Sequence, residues 1–119
     1  MQDIEGGACI MALTVSFWDS VSEIGYEQKT TFWLDFSIAD NFGDAAIRDT
    51  FRRAFAEWKS DCVYFTELVM VLNHKSWEWY GRGNEKRAEL YSELYYEASD
   101  WGYENLTGEE LNYFWRTLD

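Results

Sequence analysis

The sequence predicts an all-α fold: a compact single-domain bundle of five or six helices with one central, mostly buried helix. Three observations carry that expectation. Apolar residues recur at three- and four-residue intervals along most of the chain, the period of one helix face. The 119 residues include no proline, so no position forbids a helical hydrogen bond. The stretch 62–80 is apolar on more than one stripe, as expected of a helix with neighbours on several sides.

Residues 1–11 contain glycine and lack a pattern, so they read as a loose N-terminal segment, with 12–119 as the domain; Met11 is a possible second start. Ile10, Leu13, Phe17, Trp18, Val21 and Ile24 suggest an amphipathic helix ending near Gly25. A strand over Thr14-Val15-Ser16-Phe17 is its rival, since those residues alternate and favour β structure. Thr30 or Thr31 caps a short helix carrying Phe32, Trp33 and Phe36 to Ile38 or Ala39. Asp40-Asn41-Phe42-Gly43 reads as a turn.

The next helix has the clearest stripe, with Asp44 as its cap and Ile47, Phe51, Ala54, Phe55 and Trp58 on one face. Asp61 caps the central helix, which runs to about Tyr80. Its apolar residues are Val63, Phe65, Leu68, Val69, Val71, Leu72, Trp77, Trp79 and Tyr80. Gly81-Arg82-Gly83-Asn84 breaks it, with Asn84 as the next cap. Residues 85–104 place Ala88, Tyr91, Leu94, Tyr95, Ala98 and Trp101 at helical spacing. Thr107-Gly108-Glu109-Glu110 matches the capping box T-x-x-E and opens a last helix through Leu111, Phe114 and Trp115.

Composition narrows the function classes. Apolar residues make up 47% and aromatics 19%, enough to build a core and to argue against disorder. Twenty-two acids against ten Lys and Arg give a formal charge of −12. Such a chain repels phosphates and anionic lipid, which argues against direct nucleic-acid or membrane binding and favours a basic protein partner. Solubility alone is the plainer explanation. Cys9 and Cys62 form neither a CxxC pair nor a disulfide framework. The apolar run 8–18 follows Asp3 and Glu5 without a basic residue, unlike a secretory signal, so a cytoplasmic location is expected.

No motif for catalysis, metal or cofactor stands out. His74 is the single histidine, and no zinc spacing links it to either cysteine. Four residues separate it from Glu78, a pairing more often a surface hydrogen bond than a catalytic dyad. The loop 81–84 lacks the GxxxxGK[ST] pattern and follows no strand, so it reads as a turn. Most aromatics fall at core spacing, which favours packing over base stacking.

The one charge pattern is a column. Glu85, Glu89, Glu93 and Glu97 stand at successive i, i+4 positions, continued by Asp100 and Glu104. Neighbours lie about 6 Å apart along a helix, inside the Debye length of about 8 Å at physiological salt. Acidity is also lopsided: residues 88–119 hold eight acids and one base, against fourteen and nine in residues 1–87. Two readings stay open. The column is a solvated face of good helix formers, or it imitates a nucleic-acid backbone and enters a basic groove. One DNA strand carries a charge per about 3.4 Å, nearly twice the column's density, so a mimic would need Glu109 and Glu110 or a dimer partner.

From about Thr30 to Asp119 the chain resembles a family of small acidic proteins of no assigned activity, carried on phages and conjugative elements of Gram-positive gut bacteria. TFWLDFSIADNFG, AIRDTFRRAFAEWKS, TELVMVLNHKSW and ENLTGEELNYFWRTLD carry the resemblance; the first thirty residues fall outside it. It brings no functional residues. What it implies is context, since small acidic proteins of mobile elements include inhibitors of restriction and CRISPR nucleases. The expectation is therefore a non-catalytic protein-binding module acting through Glu85, Glu89, Glu93, Glu97, Asp100, Glu104, Glu109 and Glu110. Its sharpest form is a nucleic-acid-mimicking inhibitor of a host defence nuclease. The alternative is an accessory or assembly protein of the element that binds through aromatics such as Trp77, Trp79, Tyr96 or Tyr113. Oligomeric state and partner identity stay open.

Overall fold

The computed structural model describes residues 31–118, and over them the chain is an all-α bundle. The described residues form five helices: α1 (31–40), α2 (Asp44–Trp58), α3 (Cys62–Gly81), α4 (Glu85–Asn105) and α5 (Gly108–Leu118). The expected helix over 10–24 and the loose segment 1–11 lie outside the described residues.

Short connections make the topology. Only Arg82, Gly83 and Asn84 join α3 to α4, which obliges the two longest helices to run antiparallel. Asp61 accepts from the Tyr64 N–H at 3.3 Å and Asn84 from the Arg87 N–H at 3.0 Å, so both expected caps start their helices. Asp44 does not act as a cap. Gly43 holds that position at φ 108°, in the region glycine favours, and Asp44 is the first helical residue. Its carboxylate instead reaches Arg87 on α4 at 3.4 Å. At the last junction Gly108 adopts φ 62° and the Thr107 carbonyl accepts from the Leu111 N–H at 3.3 Å.

The central helix is α3. Phe65, Leu68, Val69, Val71 and Leu72 are completely buried, and α3 packs against α2, α4 and α5. A run of rings closes one end of the core. Phe55 stacks on Phe51 with centroids 5.6 Å apart and meets Trp101 edge-on at 5.5 Å. Phe65 contacts both Trp101 and Phe114. Phe114 can lie against α4 because residue 102 is glycine: a Cβ there would sit 2.6 Å from the Phe114 Cζ.

The other end is held by charge. Lys75, only 1% exposed, places Nζ 2.7 Å from Asp40 and 2.9 Å from Glu78. It also donates to the Ser37 hydroxyl and lies 4.7 Å from the centre of the Trp33 ring. Asp40, at the end of α1, accepts in addition from the Tyr91 hydroxyl at 2.5 Å and the Trp79 indole at 3.2 Å. One carboxylate thus ties α1 to both α3 and α4. Burial, then the donation to Asp40, pushes the Tyr91 hydroxyl far above its ordinary range, so it stays a proton donor.

Candidate protein-docking face

Helix α4 sets the face because its inward side is fully committed. Ala88, Leu90, Tyr91, Leu94 and Ala98 are buried, which turns the remaining sides of the helix outward. Glu85, Glu89, Glu93, Glu97, Asp100 and Glu104 are all exposed on α4. At about 100° per residue, each four-residue step turns the column about 40° around the helix. From Glu85 to Glu104 it climbs about 28 Å as a winding stripe. Glu93 meets Arg48 of α2 at 3.4 Å, an exposed pair worth little.

Glu109 and Glu110 lie elsewhere. Both are half-buried in the first turn of α5, so neither extends the column as an exposed charge. The backbone of Glu110 approaches the start of α3, where the Cys62 thiol donates to its carbonyl at 3.5 Å. Burial, with the nearby Asp61 charge second, holds the Glu110 carboxyl above its ordinary range. Burial likewise raises Asp61, against the lowering effect of its backbone hydrogen bonds. The Cys62 thiol is pushed up strongly by burial and by Glu110, which keeps it protonated and unreactive.

Beside the column lies a groove that the sequence pattern did not reveal. It runs between the second half of α3 and the first turns of α4, with a volume of about 440 Å³. Trp77, Tyr80 and Tyr96 line it while 65%, 58% and 60% exposed. Glu85 and Glu89 line it too, so the head of the acidic column forms part of an aromatic groove. The sequence counts Trp77 and Tyr80 among the apolar residues of the central helix and weighs Trp77 as an interface residue; the structure leaves both exposed. Lys75 and Trp79 point to α1, and among the described residues no element covers the Trp77 side. Of the other aromatics weighed as interface residues, Trp79 is bonded to Asp40 and Tyr113 is buried, so both belong to the fold.

Other candidates gain little. Glu78 is engaged by both Lys75 and Arg82, which fits a structural ion-pair cluster. Among the described residues no three His, Cys, Asp or Glu side chains gather as a metal site. No described helix is long and apolar enough to cross a membrane. The chain matches no family model, no curated protein and no solved structure.

Proposed function

We propose that the chain is a non-catalytic protein-binding module that offers the acidic face of α4 to a cationic surface. In its more specific form, the module belongs to a mobile element and occupies the nucleic-acid groove of a host defence nuclease. The observation that supports this reading is the exposure of six acids along one 21-residue helix; among the described residues only Glu93 of the six joins an ion pair. Like charges at this spacing disfavour an isolated helix, so the column does not earn its place through stability. Charge density tempers the mimic form: Glu109 and Glu110 are half-buried on α5, and the six exposed acids of α4 are sparser than the phosphates of a nucleic-acid strand.

The test is capture from a host lysate in rising salt, beside a variant carrying E89Q, E93Q, E97Q, D100N and E104Q. A nucleic-acid enzyme that elutes with salt and is lost by the variant is the expected result. Capture undiminished by the variant refutes the acidic-face reading. The exposed Trp77, Tyr80 and Tyr96 favour a second reading, an accessory protein that self-associates or assembles through aromatics. That reading expects a complex insensitive to salt and to the five substitutions.

A further inference from the structure

The groove between α3 and α4 carries a more definite statement about the partner, one that rests on the acidic-face reading. Its walls are rings: Trp77 and Tyr80 stand perpendicular, 89° apart with centroids at 6.1 Å, and Tyr96 faces them from α4. Its floor is small, with Ala88 and Ser92 leaving room for another chain to approach. Among the described residues Glu85 and Glu89 are the only acidic side chains of the lining, and no Lys or Arg joins them. Along α4 the groove runs from Glu85 to Tyr96, about 16 Å or three helical turns.

These properties select an occupant. Exposed rings bind apolar side chains and also attract ammonium and guanidinium groups through their faces. Carboxylates beside them strengthen that preference and repel phosphate and carboxylate ligands. A second copy of this chain, docked by the same groove, would set Glu85 and Glu89 against their own kind. The groove between α1 and α2 differs, because its lining mixes Asp35, Asp49 and Glu57 with Arg53 and so expresses no comparable preference.

We propose that the α3–α4 groove seats an amphipathic helix of a partner protein, three turns long and edged with Lys or Arg. Its apolar stripe lies on Trp77, Tyr80 and Tyr96, and its cations lie between the ring faces and the carboxylates of Glu85 and Glu89. This is helix-in-groove recognition with an acidic rim.

The experiment titrates the full ¹⁵N-labelled chain with an 18-residue Leu/Lys amphipathic helical peptide and with a Leu/Glu peptide of the same pattern. Variants W77A/Y96A, E85Q/E89Q and E97Q/D100N/E104Q are run beside D49N/E57Q, which removes two acids far from the groove. The expected result is a set of Leu/Lys-induced shifts at 76–80 and 85–96, with no binding of the Leu/Glu peptide. Affinity should fall at least roughly tenfold in W77A/Y96A, as for the loss of interface anchors, and fall clearly in E85Q/E89Q. Thermal melts of both variants check that the fold is retained, as the exposure of these side chains requires. If only E97Q/D100N/E104Q weakens the peptide, the groove is not the seat, while the acidic-face reading stands. If the Leu/Lys peptide fails to bind, or if every variant binds it alike, both fall.

Discussion

Replacing Lys75 by Met tests the charge network that joins α1 to the bundle. The substitution keeps most of the side-chain volume and removes a cation whose Nζ lies 2.7 Å from Asp40 and 2.9 Å from Glu78. Glu78 retains Arg82 at 3.0 Å on Oε2, so although its buried Oε1 loses the facing cation the carboxylate stays paired and can tolerate the change. Asp40 cannot, because its side chain is only 8% exposed and would become a buried anion with two neutral donors, Tyr91 and Trp79. Removing one member of a buried pair typically costs about 3–5 kcal/mol. That is a large part of the 5–15 kcal/mol available to a domain of this kind. At about 3–5 °C per kcal/mol for this chain length, Tm should fall by roughly 10–20 °C.

The compensating change gives the argument its edge. Lys75→Met combined with Asp40→Asn removes both charges, while the Asn oxygen can accept from the Trp79 indole and its NH2 can donate to the Tyr91 hydroxyl, which can turn its own proton to the Phe36 carbonyl. Urea melts of the wild type, both single variants and the pair form a double-mutant cycle. The expected coupling is at least about 2 kcal/mol, with the pair more stable than Lys75→Met alone. Additive losses, or a loss below about 1 kcal/mol in Lys75→Met, would show that this network does not hold α1 in place.

Three further outcomes follow from the packing and the charges. Gly102→Ala should destabilise by about 1–3 kcal/mol, because its Cβ would fall 2.6 Å from the buried Phe114 ring and loosen α5; chemical denaturation measures it. Glu110→Gln should raise Tm at neutral pH. The folded-state carboxyl is raised by burial, so the folded protein binds more protons than the unfolded chain and loses stability as pH rises through that window. The gain should vanish at pH below the ordinary carboxylate range, and a gain that persists there would assign it to packing. The five-substitution column variant should melt about 1 kcal/mol more stably at low salt, after relief of repulsion is set against the loss of the Arg48–Glu93 pair. High salt should shrink that difference.

Most of the fold was legible because its signals are local. Asp61 and Asn84 sit where a helix must find acceptors for its first N–H groups, and each does so within three residues. The core of α3 was equally plain from its all-round apolar content. Asp44 misled because an acid at the start of a helix suits either the cap or the first turn, and the glycine before it could alone take φ 108°. The Asp40–Lys75 pair was not legible, since thirty-five residues separate its members and both types are usually solvated. Their burial depends on Trp79, one turn further along α3, and on Tyr91 arriving from α4.

The candidate face was legible in its charges, whereas among its rings Trp77 and Tyr96 stood only as alternatives beside Trp79 and the buried Tyr113, for a physical reason. Periodicity shows that a side chain is apolar and which way it points; it does not show how many helices stand opposite. Trp77 and Tyr80 continue the pattern of a helix that, among the described residues, is enclosed over its first half and open on one side over its second. The finished core does not need them: Phe65, Leu68, Val69, Val71 and Leu72 are fully buried without their help. Nor does α4 need its acids, whose mutual repulsion opposes the helix that carries them. Two features that do little for folding meet in one groove, where Glu85 and Glu89 stand beside Trp77, Tyr80 and Tyr96. The charge reading and the aromatic reading then differ less in place than in energy source. Salt separates them: an interface driven by the acids weakens as ions are added, whereas one driven by burial of the rings holds.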